Sequence, residues 1–435
     1  MRSVLLVFVA SSFLLAQRIT PLGAAAESTG QTIQRNEKAL RANPKDVAAE
    51  AALATAYLQK LRENGDATWL DRASALVDRM LAQDPGNYEA MRFQNEIDLQ
   101  KHDFLAVEDR ARDLLRFEPS DAGAWGNLAD ALMELGKYNE AGEAYAKMFA
   151  IRPSLASYNR IAWFRFVTGD PDGAIAFMRD AVAAGAGAPE HTAWCQAELG
   201  DLYFKTGRLD AAMDTYESAL ALFPTLHRAL AGKGRVEQAR GNIAGAIRNY
   251  ERAQAIVPMI EYAGALEDFY TAAGMPAKAQ QERETIDVID RIGAAKGEST
   301  NRNLALILAD HRRNMPRALE LAEAEIRARP DVYSWDALSW VLFQSGRIEE
   351  AKAASVSAMR LNTPEPKFHE HAALIAAVAS SQGVPDREPE GVPMALRATR
   401  VPFPSRDRQG AVATYPGSSH NLLFSGSVAS MVSTK

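Results

Sequence analysis

The chain has 435 residues, of which 47% are hydrophobic and 24% charged, with a formal net charge of −6. This balance allows a large core, or a long array with no single centre, and argues against the basic stripe that a nucleic-acid backbone requires. A single cysteine, Cys195, rules out an intramolecular disulfide, and no cysteine follows the N-terminal leader to carry a lipid.

The N-terminus begins Met1-Arg2-Ser3, continues as an apolar run from Val4 to Ala16, and reaches Ala24-Ala25-Ala26 before Glu27. A positive start, an apolar stretch and small residues at its end predict a secretory signal peptide over residues 1–26. Cleavage after Ala26 would remove Arg2 and Arg18 and no acid, leaving a mature net charge of −8. The long spacer from Gln17 to Gly23 keeps an uncleaved anchor open as the alternative. The apolar run is nonetheless shorter than the roughly 20 residues that span a bilayer. Residues 27–35 are polar and are expected to form a loose leader, overlapping a half repeat whose helix runs from Gln34 to Ala42.

Prolines then act as a ruler. Pro85, Pro119 and Pro153 stand 34 residues apart, as do Pro224 and Pro258, and Pro330 and Pro364. The longer gaps are whole steps plus a few residues, with the slack at 60–69, 185–191 and 293–299. Residues 36–382 are therefore predicted to be one repeat array. Its least regular unit is 87–119, where Gln94, Asn95 and Asp98 stand in place of apolar and small residues. A final helix is expected from about Lys367 to Ser380. From Gly383 the chain is rich in Pro, Gly, Ser and Arg and lacks helical periodicity, so 383–435 is expected to be a disordered tail.

The unit is clearest between Ala193 and Pro258. Leu199-Gly200, Tyr203, Ala212, Tyr216, Ala219 and Pro224 are echoed 34 residues on by Gly234, Ala246, Tyr250, Ala253 and Pro258. Ala212, Tyr216 and Ala219 fall on one helical face, and small Gly200 and Ala212 permit close approach of two helices. Gly207 suits a left-handed C-cap, and Asp210 the first turn of the following helix, where the dipole favours an anion. Pro224 stops that second helix. So small a pair of helices cannot bury its faces alone, and neighbours must stack. This period and signature resemble the tetratricopeptide repeat (TPR).

The resemblance implies an all-α, right-handed α-solenoid of about nine helix–turn–helix units, with first helices lining a concave groove. Carried onto this chain, the family's groove-facing places are Asn159, Trp163 and Phe166, then Trp194, Asp201 and Phe204, then Arg228, Arg235 and Gln238. Rings beside two arginines and an acid suit an extended peptide of mixed character. Trp163 and Phe166 can equally be read as core residues of a loosely matched unit. The Lys/Asn set with which some TPR domains clamp a chaperone's C-terminal carboxylate is missing, since its places hold residues such as Ala197, Asp201 and Arg235.

Motifs for catalysis are not found: no Gly-x-Ser-x-Gly elbow, no phosphate-cradling Gly-rich loop and no His-Glu-x-x-His. His369 and His371, two apart on a helix, point away from each other and are not expected to share a metal. Cys195 reads as a buried, inert thiol. The expectation is a non-catalytic scaffold without cofactor or metal, exported to the periplasm or outside the cell and binding a protein or peptide but no nucleic acid. Membrane association would come only through an uncleaved signal or a partner complex. The alternative is an accessory protein of an envelope-assembly or polysaccharide- or protein-export machine.

Overall fold

The computed structural model describes residues 27–185, 189–295 and 301–383. The signal peptide expected at 1–26 and the tail expected beyond Gly383 lie outside the described residues. These contain twenty α-helices and no strand. A lone helix α1 (Thr29–Ala42) opens the array. Unit 1 is α2 (Val47–Asn64) with α3 (Thr68–Gln83), and unit 2 is α4 (Tyr88–Gln100) with α5 (Phe104–Phe117). Unit 3 pairs α6 (Ala122–Glu134) with α7 (Tyr138–Ile151), and unit 4 pairs α8 (Leu155–Val167) with α9 (Pro171–Ala184). Unit 5 is α10 (Pro189–Lys205) with α11 (Leu209–Leu222), and unit 6 is α12 (His227–Ala239) with α13 (Ile243–Ile256). Unit 7 joins α14 (Ile260–Ala272) to the long α15 (Pro276–Ala295), and unit 8 joins the short α16 (Arg302–Asp310) to α17 (Met315–Ala328). Unit 9 is α18 (Val332–Gln344) with α19 (Ile348–Met359), and α20 (Pro366–Ser381) closes the row. Each helix packs chiefly on its neighbours in sequence, so the core is a chain of small clusters.

The leader expected at 27–35 is in fact mostly helical. Ser28 Oγ accepts from Gln31 N–H while Gln31 Oε1 accepts from Ser28 N–H, a capping box that starts α1 at Thr29. Polarity misled here, because the outward side of an end helix is solvated and carries no apolar signal.

Two punctuation marks repeat along the row. At five of the junctions that follow a repeat proline, Asp46, Asn87, Asp121, Ser154 and Asp331 accept backbone N–H groups of the next helix and cap it. Leu226, Met259 and Glu365, after Pro224, Pro258 and Pro364, give no side-chain cap. Within units the chain reverses through a left-handed residue. Gly136, Gly169, Gly207, Gly241, Gly274 and Gly346 have φ between 68° and 84°. The helix pairs thus present two long edges, a turn edge at these glycines and a proline edge at the opposite ends.

Small residues are dictated by packing as well as by turns. Tyr216 is fully buried, and a Cβ added at Gly200 or Gly232 would lie 2.5 or 2.4 Å from its ring. The ring is wedged between the first helices of units 5 and 6, which fixes their spacing.

The array also closes on itself. The proline edge of units 8 and 9 rests on the turn edge of units 2 to 4, one superhelical turn earlier. Tyr138 Oη accepts the backbone N–H of Val332 at 2.9 Å, and Thr363 Oγ1 donates to the carbonyl of Val167 at 2.6 Å. Lys205 pairs with Glu365 at 2.8 Å, and Arg329 faces Glu134 at 3.5 Å while pairing with buried Glu325. Val332, Leu361 and Phe368 share one apolar cluster with residues of units 2 to 4. Backbone fits against backbone at this seam. A Cβ at Gly136 would stand 2.8 Å from the Pro330 carbonyl, and one at Gly169 3.0 Å from that of Leu361.

Candidate functional site

The residues expected to line the groove fall into two groups. On α10 and α12, five of them converge. The Arg228 guanidinium lies 4.7 Å above the Trp194 ring and donates to Glu198 at 2.7 Å. The Arg235 guanidinium lies 5.7 Å from the Phe204 ring and donates to Asp201 Oδ1 and, at 3.3 Å, to Tyr216 Oη. Tyr216 Oη in turn donates to Asp201, and Arg228 stands 3.7 Å from the same carboxylate. Burial alone would raise the Asp201 carboxyl, but Arg235, Arg228 and the Tyr216 hydroxyl outweigh it and hold the group below its ordinary value. Burial does prevail at Glu198, whose carboxyl is pushed up despite Arg228.

Two carboxylates therefore meet two guanidiniums. The cluster presents two half-buried rings, each with a cation on its face, and no surplus charge. Both arginines are already committed to internal acids, so an incoming carboxylate would have to compete for them. Unit 3 has a related arrangement, in which Asp130 accepts from Tyr145 Oη at 2.8 Å and Arg160 Nε at 2.9 Å. Tyr–Asp–Arg contacts thus serve first to hold adjacent units together.

The second group lies at the seam. Trp163 stacks on Phe166, with centroids 6.1 Å apart, and on Tyr333 of α18 at 5.6 Å. Lys205 Nζ stands 4.9 Å from the Phe166 ring and 5.6 Å from that of Trp163. Phe166 has no exposed surface and belongs to the core of units 4 and 5 with Met178 and Cys195. Its groove-facing assignment is corrected, and the core reading applies. Asn159 is also fully buried, its side-chain amide without a hydrogen-bond partner among the described residues. Gln238 is exposed in the last turn of α12, away from both groups. Lys205, Glu198 and Tyr333 are site neighbours that sequence reasoning missed. Glu198 and Lys205 lie on α10 within reach of the repeat register, whereas nothing periodic points to Tyr333.

Other candidates take ordinary places. Cys195 is buried, and burial pushes its thiol up, away from reactivity. His371 stacks on Trp340 at 4.1 Å and faces Asp336 at 3.1 Å, while His369 is exposed, so the two rings diverge. Among the described residues, no group of three or more His, Cys, Asp or Glu could hold a metal ion. No described helix is long and apolar enough to cross a membrane.

Tetratricopeptide-repeat family models match residues 122–154, 153–225 and 197–258. No curated protein matches the chain in sequence. Among solved structures, it is similar to the APC/C hetero-tetramer Cut9–Hcn1, at 15% identity and TM-score 0.46, covering 80% of this chain and 60% of that one. It is also similar to PilW, a type IV pilus biogenesis factor, at 17% identity and TM-score 0.40, over 51% of this chain and 99% of that one. The human IFIT1 dimer with m7Gppp-AAAA is similar at 14% identity and TM-score 0.44, over 77% of this chain and 87% of that one. With matched repeats at its centre and the same helix pairs on either side, the chain is a tetratricopeptide-repeat protein.

Proposed function

We propose that this protein is an exported, non-catalytic scaffold that grips an extended protein segment between Trp194, Phe204 and their arginines. The observation that carries the reading is the α10–α12 cluster, which lies inside the matched repeats and presents two rings at fixed spacing. Rings held flat by guanidiniums are preorganised, so a ligand's apolar side chains can dock with little ordering cost. The absence of surplus charge favours a segment of mixed composition. Its backbone could hydrogen-bond to guanidinium N–H groups left over from Glu198 and Asp201. Export rests on the pattern over residues 1–26 and is checked by finding mature protein that begins at Glu27 in the envelope fraction.

Selection of displayed peptides against the full chain tests the groove. Peptides so obtained should lose about thirtyfold in affinity with Trp194→Ala plus Phe204→Ala, as for two interface hot spots of about 1 kcal/mol each. Unchanged affinity in that double variant would remove the groove from the account.

A further inference from the structure

The two edges of the array are used only in part, and the unused parts complement one another. The turn edge is covered at units 3 and 4, where Gly136 and Gly169 abut the Pro330 and Leu361 carbonyls. Among the described residues it is open at units 6, 7 and 9, and at Gly207 of unit 5, beyond the Lys205–Glu365 contact. A Cβ added at Gly207, Gly241, Gly274 or Gly346 would meet nothing within 4 Å. Met275, beside Gly274, is 44% exposed. The proline edge shows the reverse. It is docked at unit 9, where Leu361 is 6% exposed within the seam cluster. It is free at units 2, 3 and 5, where Phe117, Ile151 and Leu222 end their helices 81%, 40% and 43% exposed. Phe117, Ile151 and Leu222 stand at corresponding places, each the last residue of its unit's second helix, on this open edge.

We propose that this surface takes a second copy of the same chain. The proline edge of units 2 to 5 in one copy, led by Phe117, seats on the turn edge of units 5 to 9 in the next. The contact repeats between molecules the edge-on-edge fit that the seam already makes within one. Continuity with that seam chooses the occupant: a proline edge of this chain already fits a turn edge of this chain at units 3 and 4, and further stretches of both edges are open among the described residues. Because the two surfaces differ, the association is heterologous and head-to-tail, and it extends the superhelix along its axis without closing. It does not depend on the groove reading, since the edges lie outside the groove.

Sedimentation of the full chain over a wide concentration range tests the proposal. The wild type should shift from monomer to dimer and on to longer species. Phe117→Arg and Met275→Arg each block one edge at an exposed position, so circular dichroism should show unchanged helicity while each variant alone stays monomeric. Mixed together, the two variants should form dimers and nothing longer, because each retains the edge the other lacks. Wild type that stays monomeric, or stops at a closed dimer, would overturn the proposal. So would single variants that assemble like wild type, or a mixture that does not dimerise.

Discussion

Units 5 and 6 and the seam hold the same array together in opposite ways. Between units 5 and 6 every important contact is local to the repeat: Tyr216 fills the space left by Gly200 and Gly232, and its hydroxyl joins Asp201 and Arg235. At the seam, units far apart in the chain meet through backbone fit, one buried arginine, Lys205 and a stack of rings. Local packing forms with each added unit, as expected for a one-dimensional array. The seam is made only when a whole superhelical turn is in place, so it turns a row of independent units into a closed body.

The sharpest way to break the local side is Tyr216→Ala. Removing a fully buried aromatic wedge should cost about 3–5 kcal/mol, read as a lower denaturation midpoint and faster amide exchange in α10 to α12. Next comes a paired comparison of glycines that share a left-handed φ. Gly241→Ala carries only the backbone strain of about 1–2 kcal/mol, since its Cβ meets nothing. Gly136→Ala should cost measurably more, because its Cβ also presses on the Pro330 carbonyl at 2.8 Å. Equal losses in the two variants would mean that the seam contributes nothing to stability.

A smaller effect should come from the Lys205–Glu365 pair. A double-mutant cycle with Lys205→Ala and Glu365→Ala should give a coupling of about 0.5–1 kcal/mol, falling with added salt. The last is a pH dependence. Burial, then the nearby Arg329 charge, pushes the His102 imidazole down to about 3 from an ordinary 6.5. The folded chain therefore binds fewer protons there than the unfolded one, and stability should fall as pH drops from 6.5 toward 3. Burial pushes the Glu261 carboxyl up to about 7 from 4.5, so its contribution should fall as pH rises through that window. In thermal melts across pH, His102→Gln should flatten the acid limb, and Glu261→Gln the limb between 4.5 and 7.

The local side was legible in the sequence because stacked units reuse one set of residues every 34 positions. Gly200, Gly207, Tyr216 and the stopping prolines could be placed from that register, and so could the rings and charges of α10 and α12. The seam was not legible, because it pairs residues once only and leaves no period. Tyr333 looks like any first-helix residue until it stacks on Trp163, and Gly136 looks like any turn glycine until Pro330 rests on it. Phe166 and Asn159 were misplaced for a related reason. In unit 4 the register is loose, and a shift of one residue along a helix turns a groove position into a core position. The early start of α1 escaped notice because a capping box of Ser28 and Gln31 is polar throughout.

Closure of the array is the claim on which the seam, its stability and the unused edges all depend. It is tested most directly by a pulsed electron-spin distance between labels at Asp172→Cys in unit 4 and Lys367→Cys in α20, both exposed sites, with Cys195 left buried and unlabelled. A narrow distribution at short distance, broadened when Gly136→Val is added, is the predicted result. A broad distribution centred at long distance in the parent chain would show an open superhelix and contradict the account.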